Sequence, residues 1–276
     1  MKRALTLALA VGLLTAVAGL TAGQTKYGTG QNVQPVFEGW EFNPDGTYTM
    51  TFGYLNRNYE QELDVPLGAE NHFEPGSPDR GQPTHFSIRR HRFVFKVTLP
   101  KGWDPKARLT WIVTSNGRTD QAQGWLQPEW EIDEGVEQMN IGPGGAPDVD
   151  NKAPQVTGST SYSCSLDAPL RVTITATDDG IPKPRKPRNE AQAKLMPPQG
   201  VRVSWMLYRG PGRVAFDVPN PPAVYGQPLT AATTLRFSAA GVYVIRAVVG
   251  DGTLETNFDI NVTVAAAKSG LEYIRP

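Results

Sequence analysis

Residues 241 to 264 carry the pattern that most restricts the fold. Apolar and polar side chains alternate through "GVYVIRAVV" and again through "TNFDINVTV". Side chains of an extended strand point to opposite faces in turn, so alternation predicts a strand with one buried face. Gly250-Asp251-Gly252 supplies a tight turn between the segments. We expect a hairpin packed on a second sheet, with one of two sets facing the core: Tyr243, Ile245, Ala247 and Val249, or their neighbours Val242, Val244 and Val248.

The same signature recurs between residues 36 and 130. "NPDG" at 43 to 46 has the residues typical of a tight turn. It lies between "VFEGWEF" and "TYTMTFGYL", so the three segments together predict a hairpin. An Asn-Gly pair at 116 to 117 predicts a second tight turn. No segment shows a helical period of useful length. Further strands are predicted at 62 to 65, 92 to 99, 109 to 115 and 119 to 126.

Length and composition suggest how the chain is divided. Its 276 residues fit two domains, and 28 Gly and 24 Pro indicate many turns. Residues 135 to 153 are rich in Gly, Pro and Asp and are predicted to be a linker. The prediction is all-β, two Ig-like β-sandwich domains in tandem, at 36 to 134 and 154 to 265. A flexible lead-in (24 to 35) precedes them, and a tail (266 to 276) follows.

The first 23 residues have the composition of a secretory signal peptide. Lys2 and Arg3 precede an apolar run from 4 to 20, and small residues offer a cleavage point before Gln24. A membrane anchor is the alternative, although the run is short and no charged residue follows it directly. Cleavage predicts a secreted, periplasmic or cell-surface protein without a membrane span.

Charge and cysteine content limit the partners. Removing Lys2 and Arg3 leaves 25 basic against 27 acidic residues, a formal charge of −2. This balance disfavours nucleic acid as a partner. Cys164 is the only cysteine, so no intrachain disulfide can form, and it is expected to be a small buried side chain or else a reactive thiol.

The second region resembles the PKD-like, Ig-like modules of bacterial cell-surface proteins. The matching segments are "NKAP" (151 to 154), "VTITATDDGIPKP" (172 to 184), "VSWMLYRGPGRVAF" (203 to 216) and "TTLRFSAAGVYVIRAVVGDGTLETNFDINVTV" (233 to 264). The resemblance implies a seven-stranded sandwich that serves as a spacer or adhesive unit without catalytic residues. Trp205 is expected to fill the space between the sheets.

The first region resembles an uncharacterised module of secreted bacterial proteins. The matching segments are "FGYLNRN" (52 to 58), "LDVPLGAENHFEPGSPDRGQPTHF" (63 to 86), "RFVFKVTLP" (92 to 100) and "LTWIVTSNGRTDQAQG" (109 to 124). This resemblance implies export and a β fold, and it assigns no site.

Histidines offer little sign of catalysis. His72, His85 and His91 are thirteen and six residues apart, unlike the short paired spacings of zinc sites. No nucleophile elbow, Cys-His pair or paired carboxylates stand out. We therefore predict no enzyme, and a cleft that joins His85 or His91 to a carboxylate would favour a hydrolase instead.

Two other groups of residues are candidate sites. Asp148 and Asp150, with Asn151, lie at the predicted junction, and Asp178 and Asp179, with Asp251, lie in loops; calcium is possible there, and turn formation is the alternative. Trp125 and Trp130 are the first choice for stacking on a glycan, against a role in packing.

The segment from 181 to 200 is basic and rich in proline. It carries one acidic residue, Glu190, and five basic residues: Lys183, Arg185, Lys186, Arg188 and Lys194. It is predicted to be a loop that either recognises an anionic polymer or stays solvated and mobile.

The leading hypothesis is a non-enzymatic exported protein for adhesion or assembly at the cell envelope. Its partner would be a protein or a glycan there, and self-assembly through edge strands is possible. The alternatives are a carbohydrate-binding accessory protein and a hydrolase with an unrecognised site.

Overall fold

The computed structural model of the chain describes residues 26–142, 146–196 and 198–267. The predicted signal peptide, the end of the predicted tail and part of the predicted linker lie outside these residues. The regular secondary structure of the described chain consists mostly of β-strands, so the predicted fold class is confirmed. Its strands form two sandwiches that follow one another along the chain.

The first sandwich contains eight strands. They are β1 (Val33–Phe42), β2 (Tyr48–Asn56), β3 (Leu63–Asp64), β4 (Asn71–Glu74), β5 (His85–Phe86), β6 (Arg89–Leu99), β7 (Leu109–Ser115) and β8 (Arg118–Gly124). The antiparallel sheet β1-β2-β6 faces the sheet β4-β7-β8, and β3 pairs with β5 in a short ribbon.

Aromatic rings fill the core of the first sandwich. Trp111 is fully buried, with its ring centroid 5.0 Å from that of Phe95 and 6.0 Å from that of Phe73. Phe52 and Phe95, which are partners on neighbouring strands of the facing sheet, stack with their centroids 5.6 Å apart. Burying such large rings from both sheets is the main force that holds the two layers together.

The second sandwich contains the remaining strands, which are β9 (Gln155–Gly158), β10 (Ser161–Ser165), β11 (Leu170–Thr177), β12 (Arg202–Arg209), β13 (Val214–Phe216), β14 (Leu229–Phe237), β15 (Gly241–Gly250) and β16 (Glu255–Ala265). One sheet has the order β13-β14-β11-β9 and the other β10-β16-β15-β12. The resemblance implied seven strands, and the count differs because the first strand is divided. Its first half, β9, pairs with β11, and its second half, β10, runs parallel to β16.

The core of the second sandwich settles which face of the closing hairpin is buried. Tyr243, Ile245, Ala247 and Val249 are all at 0% exposure, whereas Val242 is 64% exposed. Trp205 lies between the sheets at 4% exposure, as expected. Cys164 is only half-buried and packs against this core.

The predicted turns and strands of the first region are present. Asn116 and Gly117 both have positive φ, 47° and 73°, as a tight hairpin turn between β7 and β8 requires. Asp45 accepts a hydrogen bond from the backbone nitrogen of Thr47 at 2.9 Å and so fixes the first hairpin. Short strands such as β4, β5 and β9 were not predicted, because two to four residues are too few to show alternation.

Two helices correct the prediction that the chain has none. Helix α1 (Glu134–Ile141) lies in the predicted linker, and α2 (Glu190–Leu195) lies in the basic segment. Each begins at a side chain that accepts from the first turn: Asp133 accepts from Val136, and Asn189 from Gln192. Both are too short to show a helical period in the sequence. Among the described residues, no helix has the length and apolar character needed to cross a membrane.

Candidate functional site

The two sandwiches meet around the guanidinium of Arg246. This residue lies on β15, is 6% exposed, and forms a two-pronged ion pair with Asp259 on β16 at 2.7 and 2.8 Å. Its remaining nitrogen donates to the backbone oxygen of Val94, on β6 of the first sandwich. One buried cation therefore connects a sheet of each sandwich.

Tyr208 also holds the joint, which is the contact between the two sandwiches around Arg246. It belongs to β12 of the second sandwich, yet its ring is 3% exposed and packs in the core of the first. Its hydroxyl donates to the carbonyl of Gly81, and its own carbonyl accepts from the backbone nitrogen of Thr84 at 3.1 Å. Burial raises the pKa of Tyr208 well above its ordinary value, so the phenol stays neutral and available as a donor.

An ion pair at the margin extends this contact. Arg209 bonds to the carboxylate of Asp79 at 2.7 Å and to the carbonyl of Gln82 at 2.7 Å. The hydrogen bond from Arg209 holds the pKa of Asp79 below its ordinary value. Together with Tyr208, these bonds cover the free edge of β12 with the chain around residues 79 to 84.

The linker region is also attached to both sandwiches: its helix contacts the first, and Asn151 bonds to Thr253 of the second at 2.8 Å. Before α1, the backbone nitrogen of Ile132 donates to Trp40 in the first sandwich at 2.9 Å. On α1, Glu137 pairs with Lys96 at 3.2 Å, and Gln138 exchanges two hydrogen bonds of 2.9 Å with the backbone of Asp148. The described part of this segment is therefore bound along its length.

Among the buried side-chain oxygens that have no hydrogen-bond partner in the described residues, three lie near the end of the linker and in two loops of the second sandwich. They are Oδ1 of Asn151, Oδ1 of Asp178 and Oδ2 of Asp251. Asn151 is 1% exposed and Asp251 is 4% exposed. Leaving such oxygens unpaired inside a protein is costly, so water molecules or a bound cation must satisfy them.

The other atoms of these side chains are firmly held. Asn151 donates to the hydroxyl of Thr253 at 2.8 Å, and that hydroxyl donates to Oδ1 of Asp251 at 2.9 Å. Oδ1 of Asp251 also accepts from the backbone of Leu254 at 2.9 Å, and Oδ2 of Asp178 accepts from Gly180 at 2.9 Å. Each side chain thus uses one atom for local structure and keeps one oxygen free.

Asp178 lies close to the negatively charged side chains of Asp251 and Asp179. Burial, and then the charges of Asp251 and Asp179, raise the pKa of Asp178 above its ordinary value. Within residues 26–142, 146–196 and 198–267, no lysine or arginine forms an ion pair with Asp178 or Asp251. A hard cation that takes oxygen ligands would compensate this charge.

The aspartates that the sequence suggested as calcium ligands do not lie together in the structure. Asp178 lies next to Asp251, and Asp179 accepts from the backbone nitrogen of Lys152 at 2.9 Å. Asp148 and Asp150 are exposed in one turn, where Asp148 accepts from Asp150. No group of three or more His, Cys, Asp or Glu side chains in the described chain is arranged for a metal ion. A cation near Asp178 would therefore need amide, main-chain or water oxygens as well.

Trp125 and Trp130 each have one ring face covered by the protein. The Arg108 guanidinium lies 4.3 Å from the centroid of the Trp125 ring, which is half-buried. Trp130 is 43% exposed and stacks on Phe37 with centroids 5.6 Å apart. Glycan binding by the pair stays a prediction.

A cleft joins a histidine to carboxylates, the arrangement that would favour a hydrolase, and the sequence had not indicated which carboxylates these are. His85 is buried, with Nδ1 2.7 Å from Asp64 and Nε2 3.5 Å from Glu62, at a cavity of about 660 Å³. Burial disfavours the charged ring, but the hydrogen bonds to Asp64 and Glu62 outweigh it and raise the pKa of His85 to about 9. At neutral pH the ring is therefore a cation with both nitrogens engaged, and it is a poor general base.

The other two histidines do not add to this cleft as a catalytic set. His91 stacks on Tyr54 with centroids 4.9 Å apart, and its Nε2 lies 3.1 Å from the carbonyl of Ile88. Burial of its ring lowers the pKa of His91 below its ordinary value. His72 lies on β4, away from the β3-β5 ribbon that carries His85.

Comparisons with known proteins find similarity only among solved structures. No family model matches the chain, and no curated protein matches it. The PKD domain of human KIAA0319 is 17% identical with a TM-score of 0.22, over 46% of this chain and 96% of that domain. The fibronectin(III)-like modules of Clostridium thermocellum CbhA are 13% identical with a TM-score of 0.26, over 88% of this chain and 99% of theirs.

A third match is to domains 4 and 5 of the S-layer protein SbsC. It is 15% identical with a TM-score of 0.24, over 86% of this chain and 98% of that one. The matched structures include a PKD domain and fibronectin(III)-like modules, which agrees with the predicted resemblance to PKD-like and Ig-like modules. At such TM-scores these matches carry no argument about function, which rests on the residues of this chain.

Proposed function

We propose that the chain is an exported, non-enzymatic protein for adhesion or assembly at the bacterial cell envelope, whose two sandwiches act as one rigid unit. The observation that carries this proposal is the joint at Arg246. Contacts between domains of one chain usually resemble transient interfaces and permit motion. Here the hydrogen bond from Arg246 to Val94 and the burial of Tyr208 in the first core oppose such motion, because separating the sandwiches would break both contacts.

A rigid pair suits a spacer or adhesive unit. Such a unit must hold a binding surface at a fixed distance and orientation, and it needs no reactive group. His85 supports this choice over a hydrolase, since its two ring nitrogens are occupied by Asp64 and Glu62.

We propose calcium as a cofactor that binds where the linker meets the second sandwich. Asn151 ends the linker, Asp178 follows β11 and Asp251 lies in the turn before β16. A calcium ion bound by their free oxygens would tie the linker to the base of the second sandwich.

Export is tested by expressing the full chain in a bacterium and fractionating the cells. The expected product lies in the envelope or the medium and begins at Gln24. A matched form that lacks residues 2 to 23 should stay in the cytoplasm. A full-length product that keeps Met1 in the cytoplasm would contradict the proposal.

Glycan binding through tryptophan is the second candidate, favoured by the exposed ring of Trp130. The test is an array of envelope glycans probed with the wild type, Trp125→Ala and Trp130→Ala. Phe42→Ala is the control, because it removes another exposed aromatic ring. Loss of binding confined to the tryptophan variants would support this candidate, and equal binding by every variant would remove it.

A further inference from the structure

The basic loop, defined here as residues 181–196, has an ordered backbone. The side chain of Gln199 bonds to both the nitrogen and the carbonyl of Arg185. Asn189 caps α2, and the side chain of Gln192 accepts from the backbone of Arg188 at 2.5 Å. These bonds hold the backbone in place, so the basic residues keep a fixed spacing along the loop.

The cations of this loop are free of counter-charges. Lys183, Arg185, Lys186, Arg188 and Lys194 are all exposed, and none has an ion-pair partner among the residues described. With Glu190 the loop carries a formal charge of +4, whereas the chain after signal cleavage carries −2. The rest of the protein therefore carries −6, and the positive charge is concentrated in one place.

An aromatic ring lies at the neck of the loop. The neck is closed by two backbone hydrogen bonds between Val201 and Val224, at 2.8 and 2.9 Å. Next to it, Tyr225 is 44% exposed, and its hydroxyl donates to the carbonyl of Gly180 at 3.2 Å. That bond fixes the ring beside the start of the basic loop.

From these features we propose that the basic loop and Tyr225 bind an anionic polysaccharide. The free guanidinium and ammonium groups pair with carboxylate, sulfate or phosphate groups along the polymer. The half-exposed ring offers a flat face to a sugar. The inference deepens the proposed function by naming what the envelope protein binds, and it rests on export.

Other anionic partners fit less well. Leu195 is the only exposed large apolar side chain of the loop, which is too little area to enter a bilayer. Export, on which the inference rests, would keep the loop apart from the nucleic acid inside the cell. A glycan chain needs only charge pairing and one stacking surface.

The test uses dextran sulfate and uncharged dextran of the same length, at about 150 mM salt, where distant charges are screened. The loop variant is Arg185→Glu, Lys186→Glu and Arg188→Glu together. Its matched control is Lys101→Glu, Lys106→Glu and Arg118→Glu, three exposed cations of the first sandwich with the same change in charge. Tyr225→Ala tests the ring. Vesicles of phosphatidylglycerol form a separate arm.

The wild type should bind dextran sulfate and not dextran. The loop variant should bind about tenfold more weakly and Tyr225→Ala about fivefold more weakly, with little change in the control variant. Equal losses in both triple variants, or no loss in the loop variant, would overturn the inference. So would vesicle binding as tight as polymer binding. The distance between the sandwiches, measured on the same variants, should not change, so failure here is distinct from failure of the joint.

Discussion

The guanidinium carbon of Arg246 lies 3.6 Å from the centroid of the Tyr208 ring, and both side chains are buried where the two sandwiches meet. Tyr208 belongs to the second sandwich and packs in the core of the first. The charge, the ring and the backbone oxygen of Val94 therefore form one contact between the sandwiches.

Replacing Arg246 by Met should lower the free energy of unfolding by about 2 to 3 kcal/mol, which urea denaturation measures. A fully buried pair typically loses 3 to 5 kcal/mol when one partner is removed, and the effect is smaller here because Asp259 is 40% exposed. Arg236→Met is the control, since Arg236 is exposed on β14. Equal effects of the two substitutions would show that the joint contributes little.

Calcium should stabilise the protein through Asn151, Asp178 and Asp251. At about 100 times the Kd, a ligand of the folded state adds about 2.7 kcal/mol, which differential scanning calorimetry detects as a higher Tm. Asp178→Asn should abolish this gain. Without calcium the same variant should be at least as stable as the wild type, because it removes a buried charge that Asp251 repels.

Asp150→Asn is the control variant for the calorimetric experiment with calcium. Asp150 is exposed and lies in the turn after Asp148, so its loss should leave the calcium effect intact. A Tm that calcium does not change in the wild type would contradict the proposed cation site.

Stability should fall in alkaline solution because of His85. Its pKa is raised from 6.5 in the unfolded chain to about 9 in the folded protein. The ion pairs with Asp64 and Glu62 therefore stabilise the protein fully below pH 6.5, and this contribution, on the order of 3 kcal/mol, is lost as the pH rises through 9. Unfolding free energies measured between pH 7 and 10 should show this loss in the wild type and not in His85→Gln.

His91→Gln serves as the control for that experiment. Burial lowers the pKa of His91, so its ring is neutral in both states throughout the same pH range. If His85→Gln retained the alkaline loss of the wild type, the assignment to His85 would be wrong.

Gly124→Ala should destabilise the first sandwich by about 1 to 3 kcal/mol, the usual range for an overpacked core. A Cβ there would lie 2.8 Å from the ring of Phe37 and 3.0 Å from the sulfur of Met50. Gly28→Ala is the control, because its nearest neighbour is the flexible carboxylate of Glu60 at 3.1 Å. Thermal denaturation of both variants measures the difference, and equal stabilities would contradict the packing.

The sequence predicted the long strands well, but it left open which face of the closing hairpin is buried. Strand β7 (Leu109–Ser115) has the predicted bounds, and the hairpin of β15 and β16 buries one of the two faces considered. Alternation succeeds at such places because a strand of seven or more residues repeats its pattern several times. The helices α1 and α2 escaped prediction because capping, rather than periodicity, determines where they begin.

The contacts between the sandwiches could not be predicted in the same way. Arg246 interrupts the apolar run "VIRAVV", and this was the one signal in the sequence that a charge enters a buried face. Its partner Val94 is 152 residues away and bonds through a backbone atom, which leaves no mark on residue type. The partners of His85 could not be predicted either, because Asp64 and Glu62 lie on or beside a different strand, about twenty residues earlier in the chain.

The rigid joint is tested most directly by the distance between two spin labels, one on each sandwich. On a Cys164→Ser background, labels at the exposed positions Lys106 and Arg171 report on the joint, and labels at Lys106 and Arg118 lie within one sandwich as a control. The account predicts one narrow distance distribution for the first pair, as narrow as the control, that broadens in Arg246→Met. A broad or multiple distribution in the wild type would contradict it.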